Sequence, residues 1–147
     1  MFTSILLPTD GSPLSDKATA TAVQFARLNR AKIVAITVVP PYPFIPMPDG
    51  SGGGTLDAGV YEQQMENAAR HSIQKVEAAA RAGEVPFVGV VALSPSPYEE
   101  IVAAAAQYGC DIIIMASHGR SGLNKLFLGS ETQKVLAHTT LPVMVLR

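Results

Sequence analysis

Gly119 and Gly129 lie ten positions apart within ASHGRSGLNKLFLGSETQKV, residues 116–135, and Ser130 follows the second glycine. Arg120 and Lys125 sit between them, and Ser117 and His118 precede the first. Glycine has no Cβ, so its backbone N–H can approach an anion closely. A helix opening at Gly129-Ser130 would add further N–H donors, a favourable dipole and a hydroxyl, with Glu131 and Thr132 on its first turn. A polyphosphate suits that combination. The spacing alone is only moderately specific, because a loop glycine followed by a helix-cap glycine is common. Other phosphate motifs do not occur: there is no G-x-x-x-x-G-K-[ST], and GSGGGT at 50–55 does not complete G-x-G-x-x-G.

Such groups need a scaffold that brings them to one edge. SILLPT, AKIVAITVV, VPFVGVVAL, DIIIMAS and LPVMVL are apolar runs, several rich in β-branched residues. They predict five strands buried on both faces, as in a parallel sheet. Helical patterns separate them. Ser12-Pro13 reads as an N-cap with proline at N1, followed by a stripe of Ala18, Ala22, Phe25 and Ala26. A second helix is predicted from about Val60 to Arg81, stopping near Gly83. Ser96-Pro97 repeats the cap signal ahead of YEEIVAAAAQY, which ends at Gly109, and Glu131 to His138 predicts a last short helix. The alternation β-α-β-α-β-α-β-α-β implies a doubly wound α/β sandwich. Residues 40–59, rich in proline and glycine, are too long for an ordinary connection and are expected to form a mobile flap.

In an open parallel sheet, ligands bind outside the carboxyl ends of the strands, where strand order reverses. With the first strand central, Pro8, Thr9, Asp10, Gly11 and Ser12 would face Ala116, Ser117, His118 and Gly119 across that point. Asp10 can serve a ligand or simply hold a turn through backbone N–H groups. His118 can face phosphate or satisfy its own loop. Arg120 and Lys125 can neutralise phosphate or lie on solvated surface.

Composition narrows the function classes. The chain has 147 residues, 48% of them apolar, with a formal net charge of −1. That is the length of one domain, 1–147, with enough apolar mass for a core, and it argues against a basic nucleic-acid module or a disordered chain. No uninterrupted apolar run is long enough for a membrane span. MFTSILLPTD lacks a basic leader and reads as a first strand. The single Cys110 excludes an internal disulfide and suits a reducing compartment, so a cytoplasmic location is expected. His71, His118 and His138 are scattered and make no zinc site. No G-x-S-x-G elbow is present, which disfavours a serine hydrolase. No residue stands out as a general base, so slow nucleotide hydrolysis is the most chemistry expected.

Taken together, these stretches resemble the universal stress protein family, in its small single-domain type. Its ATP-binding members carry G-x2-G-x9-G-[ST] after the fourth strand. Here Ala116, Gly119, nine residues, Gly129 and Ser130 fill those positions. LLPTDGSPLSDKA resembles the family's first strand and helix start, and TTLPVMVLR its final strand. The resemblance implies a Rossmann-like, adenine nucleotide alpha hydrolase-like fold with strand order 3-2-1-4-5. It further implies ATP at the carboxyl edge, with Mg²⁺ or Mn²⁺ as the companion ion, and a stress-response homodimer paired through residues 141–147. Within that pattern Asp10 would meet the adenine amino group, and the backbone of Val38 would read the adenine edge. Ala116 departs from the motif's first glycine, and a methyl group is tolerated there unless φ is positive. A dimeric scaffold that binds no nucleotide is the alternative on the same fold.

Overall fold

The computed structural model describes residues 1–42, 57–119 and 128–147. Five strands alternate with four helices: β1 Ser4–Pro8, α1 Pro13–Asn29, β2 Lys32–Val39, α2 Ala58–Ala82, β3 Phe87–Leu93, α3 Pro97–Gln107, β4 Ile112–Ala116, α4 Ser130–His138 and β5 Val143–Leu146. All strand pairs are parallel, in the order β3-β2-β1-β4-β5. Period-two alternation sorts the central strands between two cores. Ile5, Leu7, Ile33, Ala35, Ile112 and Ile114 pack with α1 and α2 through Ala18, Ala22, Ala26, Val76 and Ala80. Leu6, Val34, Ile36, Ile113 and Met115 face α3 and α4 through Ile101, Ala104, Ala105 and Val135. The small residues on the helices let them lie close to the sheet. Leu6, Leu7, Ile33 and Ile114 are each fully buried, and each such side chain stabilises by about 1.5–3 kcal/mol.

The expectation of five strands buried on both faces holds for β1, β2 and β4 only. β3 is an edge strand that α2 covers in part, leaving Val88 at 38%, Val91 at 41% and Leu93 at 63% exposure. β5, the other edge, is half-buried throughout. An apolar run reports strand tendency and not its place in the sheet.

Caps explain most helix ends. Ser12 accepts a bond from Ser15 N–H with Pro13 in the first turn, and α1 stops at Arg30 in the left-handed region. Asp57 caps α2 by accepting from Gly59 N–H at 2.9 Å. Ala58 and Gly59 therefore belong to this helix and not to the expected flap. Residues 43–56 of that flap, with Phe44, Ile45 and Met47, lie outside the described residues. Ser96 was expected to cap α3, but its hydroxyl makes no cap bond. Glu131 of α4 does so instead, accepting from Tyr98 N–H at 2.9 Å.

Candidate functional site

Strand order reverses between β1 and β4, and there the sheet opens. Register pairs β1 with β4 only at Ile5–Ile112 and Leu6–Ile113, while pairing with β2 runs on to Pro8–Ile36. Beyond Leu6 the two strands part into a cleft of about 650 Å³ at the carboxyl edge.

The first wall is the turn after β1. Thr9 N–H closes the β-ladder onto Ile36 O at 2.9 Å. Its hydroxyl takes Gly11 N–H and meets Ser15 Oγ, each at 3.2 Å. The Thr9 carbonyl accepts from the Thr37 hydroxyl at 2.9 Å. Gly11 carries φ of 74°, a conformation few side chains adopt. Asp10 Oδ1 accepts from Ser12 N–H at 2.9 Å, an Asx turn that fixes the carboxylate over the start of α1. These buried hydroxyls hold the turn rigid while its polar tip faces the cleft.

β2 contributes backbone. Ile36 O points to β1, and Val39 O accepts from Ser94 N–H at 3.0 Å on the β3 side. Alternation along a parallel strand therefore turns the N–H and C=O of Val38 toward β1's side. β1 has already ended at Pro8, so these groups face the cleft.

The opposite wall joins the end of β4 to the start of α4. Ala116 closes the strand and is not among the described non-glycine residues with positive φ, which are Arg30 and Glu84. Its methyl group is therefore accommodated without backbone strain. Gly129 N–H bonds Ser117 O at 2.7 Å. A Cβ on Gly129 would stand 3.1 Å from both Ser117 O and His118 Cα, so this contact requires glycine or a shift of backbone. Gly129, not Ser130, is the N-cap, and no side chain among the described residues caps α4. Ser130 begins the helix and is exposed. Thr132 is buried with its hydroxyl committed to the carbonyls of Ala116 and Ser117 at 3.2 and 3.1 Å. It fixes the cradle, and its hydroxyl has no proton left for a ligand.

Eleven of the thirteen residues singled out by sequence line this cleft: Pro8, Thr9, Asp10, Val38, Ala116, His118, Gly119, Gly129, Ser130, Glu131 and Thr132. Ser117 is buried behind the wall, its hydroxyl 3.1 Å from His118 Nδ1. That placement withholds it from any substrate and removes the nearest serine–histidine pair from nucleophilic chemistry. Arg120 lies outside the described residues, as does Lys125. Sequence reasoning missed the side supplied by α2, where Met65, Ala68, Ala69 and Ser72 face the cleft, and the α3 side with Pro97 and Ile101. Positions 65, 68, 69 and 72 follow the i, i+3, i+4, i+7 spacing of one helix face, a signal present in the sequence. No cluster of three or more His, Cys, Asp or Glu among the described residues could hold a metal. A cation here would need oxygen ligands brought by a phosphate.

The comparisons with known proteins follow this geometry. Residues 1–147 match the profile of the universal stress protein family. The chain is 32% identical over 147 residues to a universal stress protein of Thermus aquaticus, the match covering all of both chains. The solved structure of protein MJ0577 from Methanocaldococcus jannaschii superposes with a TM-score of 0.82 at 25% identity, covering 99% of this chain and 96% of that one. The universal stress protein of Archaeoglobus fulgidus in complex with dAMP shares the fold, with a TM-score of 0.72 at 15% identity over 99% and 98% of the two chains. The full-length profile match and the Thermus relative together show that this chain belongs to the universal stress protein family.

Proposed function

We propose that the chain binds ATP at this cleft and acts as a nucleotide-dependent stress-response regulator, paired as a homodimer through residues 141–147. The observation that carries the binding reading is the start of α4. Its cap residue is glycine, no side chain among the described residues occupies its first N–H groups, and Ser130 adds an exposed hydroxyl beside them. A helix N-terminus in that state is suited to phosphate. The apolar side between β2, α3 and Met115 suits a planar base. Asp10 and Val38 line the same cleft, which supports assigning the adenine amino group to Asp10 and the ring edge to the Val38 backbone. The adenylate held by the Archaeoglobus relative supports the choice of ligand class. Mg²⁺ or Mn²⁺ would accompany the phosphates.

Gly129 is a poor place to test this, because any Cβ there strikes backbone. Ser130→Glu is better. An acidic residue in the first turn favours the helix dipole, so folding is retained, while its charge opposes phosphate. Calorimetry should show ATP affinity reduced at least about tenfold, a change of roughly 1.4 kcal/mol, with an unchanged melting temperature. Unchanged ATP affinity in that variant would remove the assignment. If the folded wild-type protein binds no nucleotide, a dimeric interaction scaffold becomes the reading.

A further inference from the structure

Lys75 reaches from α2 to the turn that carries Asp10. It lies one helical turn beyond Ser72, which lines the cleft. Its Nζ donates to Asp16 Oδ2 at 2.6 Å and to the Gly11 carbonyl at 3.2 Å. The Lys75 and Asp16 side chains are 38% and 44% exposed, and an ion pair this open contributes little stability. The bond to Gly11 has a more specific consequence. That carbonyl belongs to the same peptide unit as the Ser12 N–H, which donates to Asp10 Oδ1 at 2.9 Å. The unit is planar and trans, so its oxygen and its N–H point in opposite directions. An ammonium at one end therefore orients the donor at the other, and by polarising the unit it strengthens that donor.

We propose that Lys75 is a positioning residue for nucleotide recognition, setting the Asp10 carboxylate through the Gly11–Ser12 peptide. This rests on the adenylate reading above, with Asp10 on the adenine amino group. Gly11, at φ of 74°, leaves its peptide units freer to rotate than a side chain would. The unit before it is held by Thr9 Oγ1, which accepts from Gly11 N–H at 3.2 Å. The unit after it is held at its oxygen by Lys75 and at its N–H by Asp10. Asp16 offsets the charge of Lys75, so the relay works by orientation and not by a field on the phosphates. α2 thus serves the site twice. Met65, Ala68, Ala69 and Ser72 form a wall, and Lys75, outside the lining, anchors the turn after β1.

A double-mutant cycle on the folded full chain tests this, with ATP and GTP titrated by calorimetry. Lys75→Met keeps an unbranched stem and removes both bonds. It should weaken ATP by about fivefold, the modest scale of a partly exposed ammonium. GTP should stay within about twofold, so the preference for adenine narrows. In an Asp10→Ala background the same substitution should change ATP affinity by less than about twofold, because the group it positions is gone. Equal weakening of ATP and GTP by Lys75→Met, or a loss that persists undiminished in Asp10→Ala, would make Lys75 a general prop of the fold and overturn the proposal. Unchanged ATP affinity in Lys75→Met overturns it as well. In each of these cases ATP binding by wild type leaves the adenylate reading intact. Absence of any adenylate binding to folded wild type removes both.

Discussion

Asp10 joins the two loops that flank the cleft. One oxygen holds the Ser12 N–H, and a Cβ placed on Gly119 would lie 2.6 Å from the other. The two glycines of the opening motif therefore differ in what they protect. Gly119 faces the end of a side chain, which can move, whereas Gly129 faces backbone, which cannot move without disturbing β4. Gly119→Ala should displace the Asp10 carboxylate and weaken ATP by about tenfold, with stability changed by less than about 1 kcal/mol. Gly129→Ala should instead destabilise the fold by roughly 1–3 kcal/mol, the range for an overpacked contact. Urea unfolding and nucleotide titration of both variants separate these effects, and equal losses of stability would contradict the distinction. If Asp10 reads the adenine amino group, Asp10→Ala should cost roughly 1–3 kcal/mol of ATP binding, and wild type should prefer ATP to GTP. Equal affinities for the two nucleotides would remove that role.

At the scale of elements, Asp111 at the foot of β4 ties that strand to the foot of β1. It accepts from Thr3 N–H at 2.8 Å, Thr3 Oγ1 at 2.9 Å and Ser4 N–H at 3.1 Å. Burial alone would raise this carboxyl; the bonds from Thr3 and Ser4 outweigh it and hold the group below its ordinary value. A depressed folded value means that the stabilisation is complete above the unfolded value of about 3.9. It is lost as pH falls through the folded value. Asp111→Asn should cost about 1–3 kcal/mol at neutral pH, and the gap should close in strong acid. Urea unfolding at pH 7 and near pH 2 checks this, and a gap independent of pH would contradict it. Local patterns made the alternation of elements legible, because Ser12-Pro13 and Gly83 act on their own helices. The chemistry-bearing loops were legible too, since Thr9–Ser12 and Ala116–Gly119 directly follow strands. What escaped depends on distant partners. Ser96 looks like a cap, yet Glu131, far along the chain, performs the task. The spacing of Met65 and Ser72 puts them on one helix face, but that this face meets the cleft depends on how α2 crosses the sheet. Val88, Val91 and Leu93 read like core residues until sheet order places β3 at an edge.

For the molecule as a whole, the open question is what meets its two sheet edges. An unpaired strand edge is a template for association, and each end of this sheet presents one. The β3 edge carries more exposed apolar surface, but Glu62, Glu66 and Arg70 stand beside Val91 and Leu93, and interspersed charge discourages strand addition there. β5 carries Val143, Met144, Val145 and Leu146 without a charged residue between them, all half-buried. Its inner side is already committed: the carbonyls of Pro142 and Leu146 accept from Ile113 and Ser117 N–H at 3.0 and 2.7 Å. Alternation then points the N–H and C=O groups of Val143 and Val145 outward. Two copies related by a two-fold axis can pair these groups antiparallel, a self-complementary contact that removes both edges at once. Val145→Pro deletes one outward donor and spares the ladder to β4, a substitution that an edge strand tolerates. Sedimentation at micromolar concentration should show a wild-type dimer, a Val145→Pro monomer with nearly unchanged unfolding, and an intact dimer in Val91→Lys. Dissociation by Val91→Lys, with Val145→Pro still dimeric, would move the interface to β3. A monomeric wild type would leave both edges unpaired and contradict the assembly outright.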